Sequence, residues 1–299
     1  MKFIGTDDAV RGDMTLLPLP TASSTRAHIE RLGISEERPW ILQQHIAGPE
    51  YCTHSLVVRG EVKAFVACPS AELLMHYEAL PPDSVLSRSM QRFTQEFAAA
   101  SGSDFTGHLS FDFLVNEKDL FDAASPESKA LANHIVTLYP IECNPRAHTA
   151  VALFEDTPEM ISKGYMSLLD DTTQKNHLKV IVDKTDVSTS INGATPSPPI
   201  VPYRPAKYYW IGHDLVELVL LPILSLLKVD GMSFVEVFDS LLKFLEHVIW
   251  WRDGTFEVWD PLPAWWLYHV YWPSQFLFAL LGGWKWSRLN VSTCKMFGC

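Results

Sequence analysis

The sequence predicts an α+β protein, in which an antiparallel sheet with flanking helices precedes a mainly helical, aromatic-rich carboxy-terminal module. Three observations support this prediction: alternating apolar and polar residues over 40–68, helically spaced apolar residues over 84–100, and a tryptophan-dense segment over 250–286. A chain of 299 residues with 47% hydrophobic side chains can also bury a substantial core without disulfides. Natively disordered and disulfide-scaffold classes are therefore excluded.

Strands are predicted in three segments of the amino-terminal half. Residues 40–68 alternate around two turns, at Gly48-Pro49 and Arg59-Gly60, and indicate an antiparallel meander. Residues 108–115 and 135–142 have the same alternation and are separated by a polar insert. We expect these last two strands to be antiparallel neighbours joined by a long excursion.

Helices and domain boundaries follow from spacing and composition. Leu86, Met90 and Phe93 predict an amphipathic helix over 84–100. A proline-, serine- and threonine-rich stretch over 183–207 is typical of a semi-rigid linker. The predicted organisation is an amino-terminal α+β domain over 1–182, the linker over 183–207, and a helical tryptophan-rich module over 208–299.

The aromatic carboxy-terminal segment has two interpretations. Polar residues and prolines interrupt it too often for a bilayer span of about 20 apolar residues. Its tryptophans and tyrosines are typical of a packed aromatic core, and they also suit an interfacial belt at a membrane surface. Membrane association is the less favoured of the two interpretations.

Charge and cysteine content narrow the function classes. The 24 lysines and arginines against 35 aspartates and glutamates give a net charge of −11, which disfavours nucleic acid as a partner. The five cysteines form no CxxC pair, so the sequence does not predict a zinc site. Their number and spacing fit a reducing compartment better than a secreted protein. No apolar segment resembling a signal peptide follows Lys2, and we therefore expect a cytoplasmic protein.

One group of polar residues has the spacing of a metal site. Glu142 and Asn144 are two apart at the end of a predicted strand and project to one face, whereas Cys143 points to the other. If Asp112 lies on the neighbouring strand, three oxygen donors suited to Mg²⁺ converge, and Arg146 offers a guanidinium to phosphate or carboxylate. The alternative is a hairpin end capped by polar side chains, with Asn-Pro starting a turn.

A second segment could bind a nucleotide. A predicted strand over 42–46 runs into the Gly48-Pro49 turn and then Glu50. This arrangement could offer backbone groups to a purine and a carboxylate to ribose hydroxyls. An ordinary hairpin with a solvated Glu50 is the alternative.

Taken together, these motifs resemble the ATP-grasp superfamily of carboxylate-amine ligases, over roughly Lys2 to Phe154. The resemblance implies ATP and Mg²⁺, or Mn²⁺, as cofactors. It implies that Asp112, Glu142 and Asn144 hold the metal, and that Arg146 steadies the transferred phosphoryl group. The residues that it implies for the nucleotide are Gln43, Gln44, His45 and Ile46 at adenine, Glu50 at ribose, and Lys2 at phosphate.

The sequence is also similar, over longer stretches, to fungal ATP-grasp enzymes of secondary-metabolite gene clusters and to the ATP-grasp enzyme that makes mycosporine-glycine. These stretches include PWILQQHIAGPEYCTHSLVV and IECNPRAHTAVALF. These relatives imply ATP-dependent activation of a carboxylate or an enol-like hydroxyl, followed by attack of an amine or amino acid. The implied partners are thus small-molecule substrates.

The chain also departs from that family pattern. Gln44 stands where many relatives have a lysine that contacts phosphate, and Ser110 replaces an arginine sometimes found before the metal aspartate. We expect most of the family's amino-terminal domain to be missing, so a partner chain could supply it. The alternative hypothesis is a non-catalytic, truncated ATP-grasp protein that acts as a pathway scaffold or a membrane-surface partner.

Overall fold

The computed structural model describes residues 2–3, 15–70, 76–124, 136–169, 198–227 and 231–283. The chain divides into two compact units: one spans Ala47–Gly254, and the other combines Met1–Ile46 with Thr255–Cys299. Most of the predicted linker, at 183–197, lies outside the described residues. The predicted boundaries at 182 and 207 therefore stay a prediction.

The described residues form the following regular elements. The strands are β1 (Lys2–Phe3), β2 (Trp40–Ile41), β3 (Glu50–Val58), β4 (Glu61–Pro69), β5 (His76–Tyr77), β6 (Gly107–Leu114), β7 (Tyr139–Asn144), β8 (Tyr208–Tyr209) and β9 (Arg252–Asp253). The α-helices are α1 (Ala22–Arg31), α2 (Val85–Ala100), α3 (Glu117–Ala124), α4 (Pro158–Met166), α5 (Ile211–Asp214), α6 (Leu221–Ser225), α7 (Phe234–Trp250), α8 (Leu262–Trp266) and α9 (Trp272–Gly282). Short 3₁₀ segments cover Thr149–Phe154 and Ser167–Leu169, and π-helical turns cover Leu215–Leu220 and Leu267–Tyr271.

A four-stranded antiparallel sheet with the order β4-β3-β6-β7 forms the centre of the larger unit. The β3–β4 hairpin turns at Arg59 and Gly60, with φ values of 52° and 77°. Two consecutive residues with positive φ are typical of the turn whose twist matches that of paired strands. The meander predicted over 40–68 is therefore confirmed for the β3–β4 hairpin. The two later strands that were predicted to be antiparallel neighbours are β6 and β7, which pair in that way.

The two faces of this sheet are covered by different elements. Helix α2 starts at its N-cap Ser84, whose hydroxyl accepts a hydrogen bond from the Ser87 amide, and packs on one face. The core on that face includes Val57, Phe65, Met90, Leu109, Phe111 and Phe113. The 3₁₀ segment after β7 packs on the opposite face, with Leu56, Val66, Cys68, Leu153 and Phe154. Because side chains alternate along a strand, the polar residues His54 of β3 and Asp112 of β6 project from this second face.

The larger unit also contains a three-stranded sheet with the order β5-β8-β9. Strand β5 pairs antiparallel with β8, which pairs parallel with β9. Strands β8 and β9 belong to the segment predicted as a separate module, whereas β5 belongs to the predicted amino-terminal domain. This sheet thus joins residues from both predicted domains within one compact unit.

The carboxy-terminal segment is helical, as predicted. Helix α7 starts at a capping box in which Ser233 and Glu236 exchange hydrogen bonds. Large aromatic side chains remain at the surface, with exposed fractions of 77% for Trp250, 78% for Trp259 and 55% for Trp266. A fully packed aromatic core is therefore wrong for these tryptophans. None of the helices in the described residues has the length and apolar composition to cross a bilayer.

Two strand predictions differ from the structure. The predicted strand over 42–46 is not formed, because β2 ends at Ile41 and Leu42 is 71% exposed. A strand needs a neighbour for its backbone groups, and only the two residues of β2 pair, with β1. The strand predicted at 135–142 lies at 139–144 instead.

Candidate functional site

The candidate metal residues meet where β3, β6 and β7 lie side by side. Asp112 on β6 is opposite Cys52 on β3 and opposite Glu142 on β7. Asn144 lies two residues after Glu142 and is opposite Ser110. Their side chains project from the face that carries the 3₁₀ segment, because residues two apart share a face.

Asp112 is the centre of this cluster. Its Oδ2 accepts a hydrogen bond of 3.3 Å from Asn144 Nδ2. Its Oδ1 is buried and has no hydrogen-bond partner within the described part of the chain. Burial, followed by the negative charges of Glu50 and Glu142, raises the pKa of Asp112 to about 7, against the opposing effect of Arg146. A buried carboxylate oxygen without a donor, among other carboxylates, is a suitable place for a cation.

Glu50 contributes to the same cluster. Its Oε1 accepts a hydrogen bond of 2.9 Å from Ser70 Oγ, and its backbone oxygen accepts one from the Ser70 amide. Glu50 is two residues from Cys52 on β3, and Cys52 is opposite Asp112. The negative charge of Glu50 therefore helps to raise the pKa of Asp112. The structure therefore brings Glu50 to the acidic cluster, while its role at ribose stays a prediction.

Cys52 and His148 are further groups beside Asp112 that could ligate a metal. One ligand atom from each of Cys52, Asp112 and His148 lies within 4.8 Å of the others. The Cys52 Sγ is 3.3 Å from the Cys68 Sγ, and this contact together with burial raises the pKa of Cys52 well above its ordinary value. A protonated thiol is a poor ligand, so the oxygen donors favour a hard cation such as Mg²⁺.

A row of buried histidines continues the site along the sheet. The His148 amide donates to His54 Nδ1 at 3.1 Å, and the Ala150 amide donates to His148 Nδ1 at 3.1 Å. His54 stacks on His108 with ring centroids 5.1 Å apart, and His108 Nε2 is 2.9 Å from the Tyr165 hydroxyl. These contacts place His148 at the start of the 3₁₀ segment, where it supports the loop.

Burial keeps two of these imidazoles neutral. Burial lowers the pKa of His54 to about 3, with a further effect of His108 and His148, and burial and Arg146 lower that of His148 to about 4. At pH 7 both rings are therefore uncharged, and the cluster around Asp112 has no histidine cation to balance its carboxylates.

Acid should destabilise the fold through these two histidines. Their ordinary pKa is 6.5, so the unfolded chain gains protons below pH 6.5 that the folded chain does not bind. We expect each ring to lower the free energy of unfolding by about 2 kcal/mol between pH 6.5 and pH 5. Asp112 acts oppositely, because the folded chain keeps its proton up to about pH 7. Urea unfolding at pH 7 and pH 5 measures the net change in the free energy of unfolding from these three groups.

The Asp112→Asn variant separates the two effects. It removes the opposing carboxyl group and leaves both histidines, so we expect it to lose more stability between pH 7 and pH 5 than the wild type. An equal or smaller loss in the variant would contradict the raised pKa of Asp112.

Arg146 and Ser110 lie at the edge of the cluster. Arg146 is exposed, its Nη1 donates to the Ala147 carbonyl at 3.3 Å, and its charge lowers the pKa of Asp112. Ser110 is buried, and its hydroxyl has no hydrogen-bond partner in the described residues. His108, Ser110 and Asp112 alternate with apolar residues along β6. The sequence could therefore have indicated that these three polar side chains share one face of the sheet.

The other nucleotide-binding candidates belong to the smaller unit. Gln43, Gln44 and His45 are exposed and Ile46 is half-buried, all in the irregular segment after β2. Lys2 lies on β1, and its side chain is outside the described residues. Their roles at adenine and phosphate stay predictions.

No protein-family model matches this chain, and no curated protein matches its sequence. Among solved structures, the chain is similar to the L-amino acid ligase from Bacillus licheniformis, with 18% sequence identity and a TM-score of 0.22. The matched region covers 34% of this chain and 23% of that ligase, so it spans less than a quarter of that protein.

Proposed function

We propose that this chain is an ATP-dependent ligase of the ATP-grasp type. It would activate a carboxylate or enol-like acceptor by phosphoryl transfer, and an amine or amino acid would then attack to form a carbon–nitrogen bond. We place this reaction in specialised metabolism and in the cytoplasm. The buried Oδ1 of Asp112, which has no hydrogen-bond partner among the described residues, is the observation that carries the proposal. Asn144 and the carboxylates of Glu50 and Glu142 around it are typical of a divalent-cation site.

The reaction consists of two balanced steps. The γ-phosphoryl group passes to an acceptor oxygen as its bond to the ADP oxygen breaks. The amine then attacks the activated carbon, loses a proton and releases inorganic phosphate. A bound Mg²⁺ would neutralise the phosphate oxygens. The protein need only position the reactants and balance charge.

Each residue of the cluster has a definite task in this proposal. Asp112 is partly protonated near pH 7, and its carboxylate would lose that proton when it meets a cation. Asn144 holds the Asp112 carboxylate by its amide hydrogen bond, and Glu142 adds a second charged oxygen donor from the neighbouring strand. The exposed guanidinium of Arg146 can turn toward a transferring phosphoryl group.

Turnover is tested by phosphate release. Purified full-length chain is incubated with ATP and Mg²⁺ and with pairs drawn from a panel of amino acids and small carboxylic acids. We expect phosphate release that requires both an acceptor and an amine, and a decrease of about 100-fold in Arg146→Ala. The Arg92→Ala variant, which removes an exposed arginine of α2, serves as the matched control and should retain full rate.

A second function rests on the exposed aromatic residues. Trp250 in the larger unit and Trp259 in the smaller one are each more than three-quarters exposed. Large apolar surfaces of this kind mark protein or membrane contacts. A non-catalytic scaffold would bind no ATP and would sediment with phosphatidylcholine vesicles or a partner chain. ATP binding without sedimentation would favour the ligase.

A further inference from the structure

A second polar cluster lies in the larger unit and shares no residue with the site around Asp112. It combines His76 on β5, Asp214 at the end of α5 and His247 on α7. His76 Nε2 is 2.9 Å from Asp214 Oδ1, and His247 Nδ1 is 2.6 Å from Asp214 Oδ2. One ligand atom from each residue lies within 4.8 Å of the other two.

Asp214 is a buried charge with an unusual set of partners. Its exposed fraction is 0%, and within the described residues its ion pairs are those with the two histidines. Burial acts to raise the pKa of Asp214, but the hydrogen bonds with His76 and His247 outweigh it and lower that pKa. The carboxylate is therefore ionised. A buried carboxylate between two imidazole nitrogens is a donor set that can hold a metal cation.

Aromatic residues hold both imidazoles in place. The ring of Trp251 lies 4.4 Å from that of His247 and 5.6 Å from that of His76, between ring centroids. The Tyr209 ring is 5.9 Å from the His247 ring. Lys207 lies over the Trp251 ring, but its ammonium group forms an ion pair with Glu78. The nearby lysine thus already has a carboxylate partner, while the rings keep the histidine nitrogens directed at Asp214.

We propose that His76, Asp214 and His247 form a binding site for a divalent transition-metal ion of the zinc class. Two imidazoles and a carboxylate are a ligand set that Zn²⁺ takes in proteins, with a fourth place for solvent. Zinc ligands lie about 2.0–2.2 Å from the ion, so their atoms stand about 3.3 Å apart. The hydrogen-bonded atoms need only a small outward movement to reach that arrangement.

Solvent access and connectivity agree with this assignment. The His76 side chain is 11% exposed, whereas those of His247 and Asp214 are 4% and 0% exposed. An ion would enter from the His76 side and keep its solvent ligand there. Because the three ligands come from β5, α5 and α7, a bound ion would join the three-stranded sheet to the helices that follow it. We therefore expect the site to stabilise the fold.

The test measures metal binding directly. Full-length protein is treated with a chelator, dialysed and titrated with Zn²⁺ by calorimetry, and its metal content is determined by mass spectrometry. We expect one Zn²⁺ per chain with a dissociation constant below about 1 µM and a higher thermal midpoint with the ion. Substituting Co²⁺ should give the intense visible absorption of a four-coordinate site.

Variants distinguish this site from other histidines and from the Asp112 cluster. His76→Gln changes the most exposed ligand and is the variant least disturbing to the fold, and Asp214→Asn and His247→Gln remove the others. Each should weaken Zn²⁺ binding at least about 100-fold. His28→Gln, in helix α1, which has no buried residue, should bind Zn²⁺ as the wild type does, and loss of Zn²⁺ binding in variants that keep Asp112 separates this site from the Asp112 cluster. Circular dichroism confirms that each variant is folded.

Two results would overturn the proposal. One is a folded wild-type chain that binds no Zn²⁺, in which a proton on an imidazole balances Asp214 instead. The other is Zn²⁺ binding of unchanged affinity in folded His76→Gln. Neither result bears on ATP, because His76, Asp214 and His247 share no residue with the site around Asp112.

Discussion

The Asp112→Asn variant should lose Mg²⁺-dependent ATP binding by at least about 100-fold while remaining folded. The asparagine keeps the shape of the side chain and its hydrogen bond with Asn144 but removes the charge that would hold the cation. It also relieves the repulsion from Glu50 and Glu142 that raises the pKa of Asp112. We therefore expect the free energy of unfolding without metal to be unchanged or higher. Mn²⁺ binding, followed by electron paramagnetic resonance, measures the metal half of this effect.

The matched control for this charge removal is Asp104→Asn. Asp104 is exposed before β6 in the same unit, and its neutralisation should leave Mn²⁺ affinity unchanged. Glu142→Gln should show a smaller loss than Asp112→Asn, because Glu142 is exposed, whereas the Asp112 Oδ1 is buried. Equal Mn²⁺ affinity in wild type and Asp112→Asn would remove Asp112 from the metal site.

The Gly48→Ala variant should destabilise the larger unit by about 3 kcal/mol or prevent its folding. A Cβ at position 48 would stand 1.9 Å from the backbone oxygen of Val115 and 2.9 Å from its carbonyl carbon. Both contacts are with backbone, so no side chain can rotate away. The chain would have to shift where Pro49 leads into β3, which would also displace Glu50 from the acidic cluster. Urea unfolding of both proteins measures the difference.

Gly107→Ala is a closely matched control for that substitution. Gly107 has φ +158° against +156° for Gly48, yet a Cβ there meets nothing within 4 Å. Any difference between the two alanine variants therefore reports the contact with Val115 rather than the backbone conformation. Similar unfolding curves for the two variants would contradict the close approach at Gly48.

The faces of β6 could be predicted because this strand alternates polar and apolar residues. In GHLSFDFL the apolar Leu109, Phe111 and Phe113 point to the α2 face, so Asp112 had to point to the other. Two-residue spacing also placed Glu142 and Asn144 on one face. The pairing of Asp112 with Glu142 then follows from the antiparallel neighbours. This part of the candidate site rests on local geometry, which sequence patterns record well.

The segment over 42–46 shows where such patterns fail. Its apolar and polar residues resemble a strand, but a strand forms only where a neighbour satisfies its backbone groups. In the structure only Trp40 and Ile41 find such a partner, on β1. Pairing between distant segments is a tertiary property that composition and spacing do not contain.

The His76, Asp214 and His247 cluster was missed for the same reason. His76 and Asp214 are 138 residues apart, and Asp214 and His247 are 33 residues apart. These spacings match no metal motif, so the sequence did not predict a zinc site. The three residues meet because β5 pairs with β8, which leads directly into α5, and because α7 returns to the same place. The exposed tryptophans are a further case, since aromatic content alone does not separate a packed core from a surface.

The most direct test of the proposed ligase is a calorimetric titration of ATP into the full-length chain, with and without Mg²⁺. The account predicts saturable binding of one ATP per chain that requires Mg²⁺. It also predicts release of a fraction of a proton near pH 7, seen as a dependence of the heat on the buffer, since Asp112 deprotonates on meeting the cation. Absence of binding with Mg²⁺, or equal binding without it, would contradict the assignment of Asp112, Glu142 and Asn144 as a metal site for ATP.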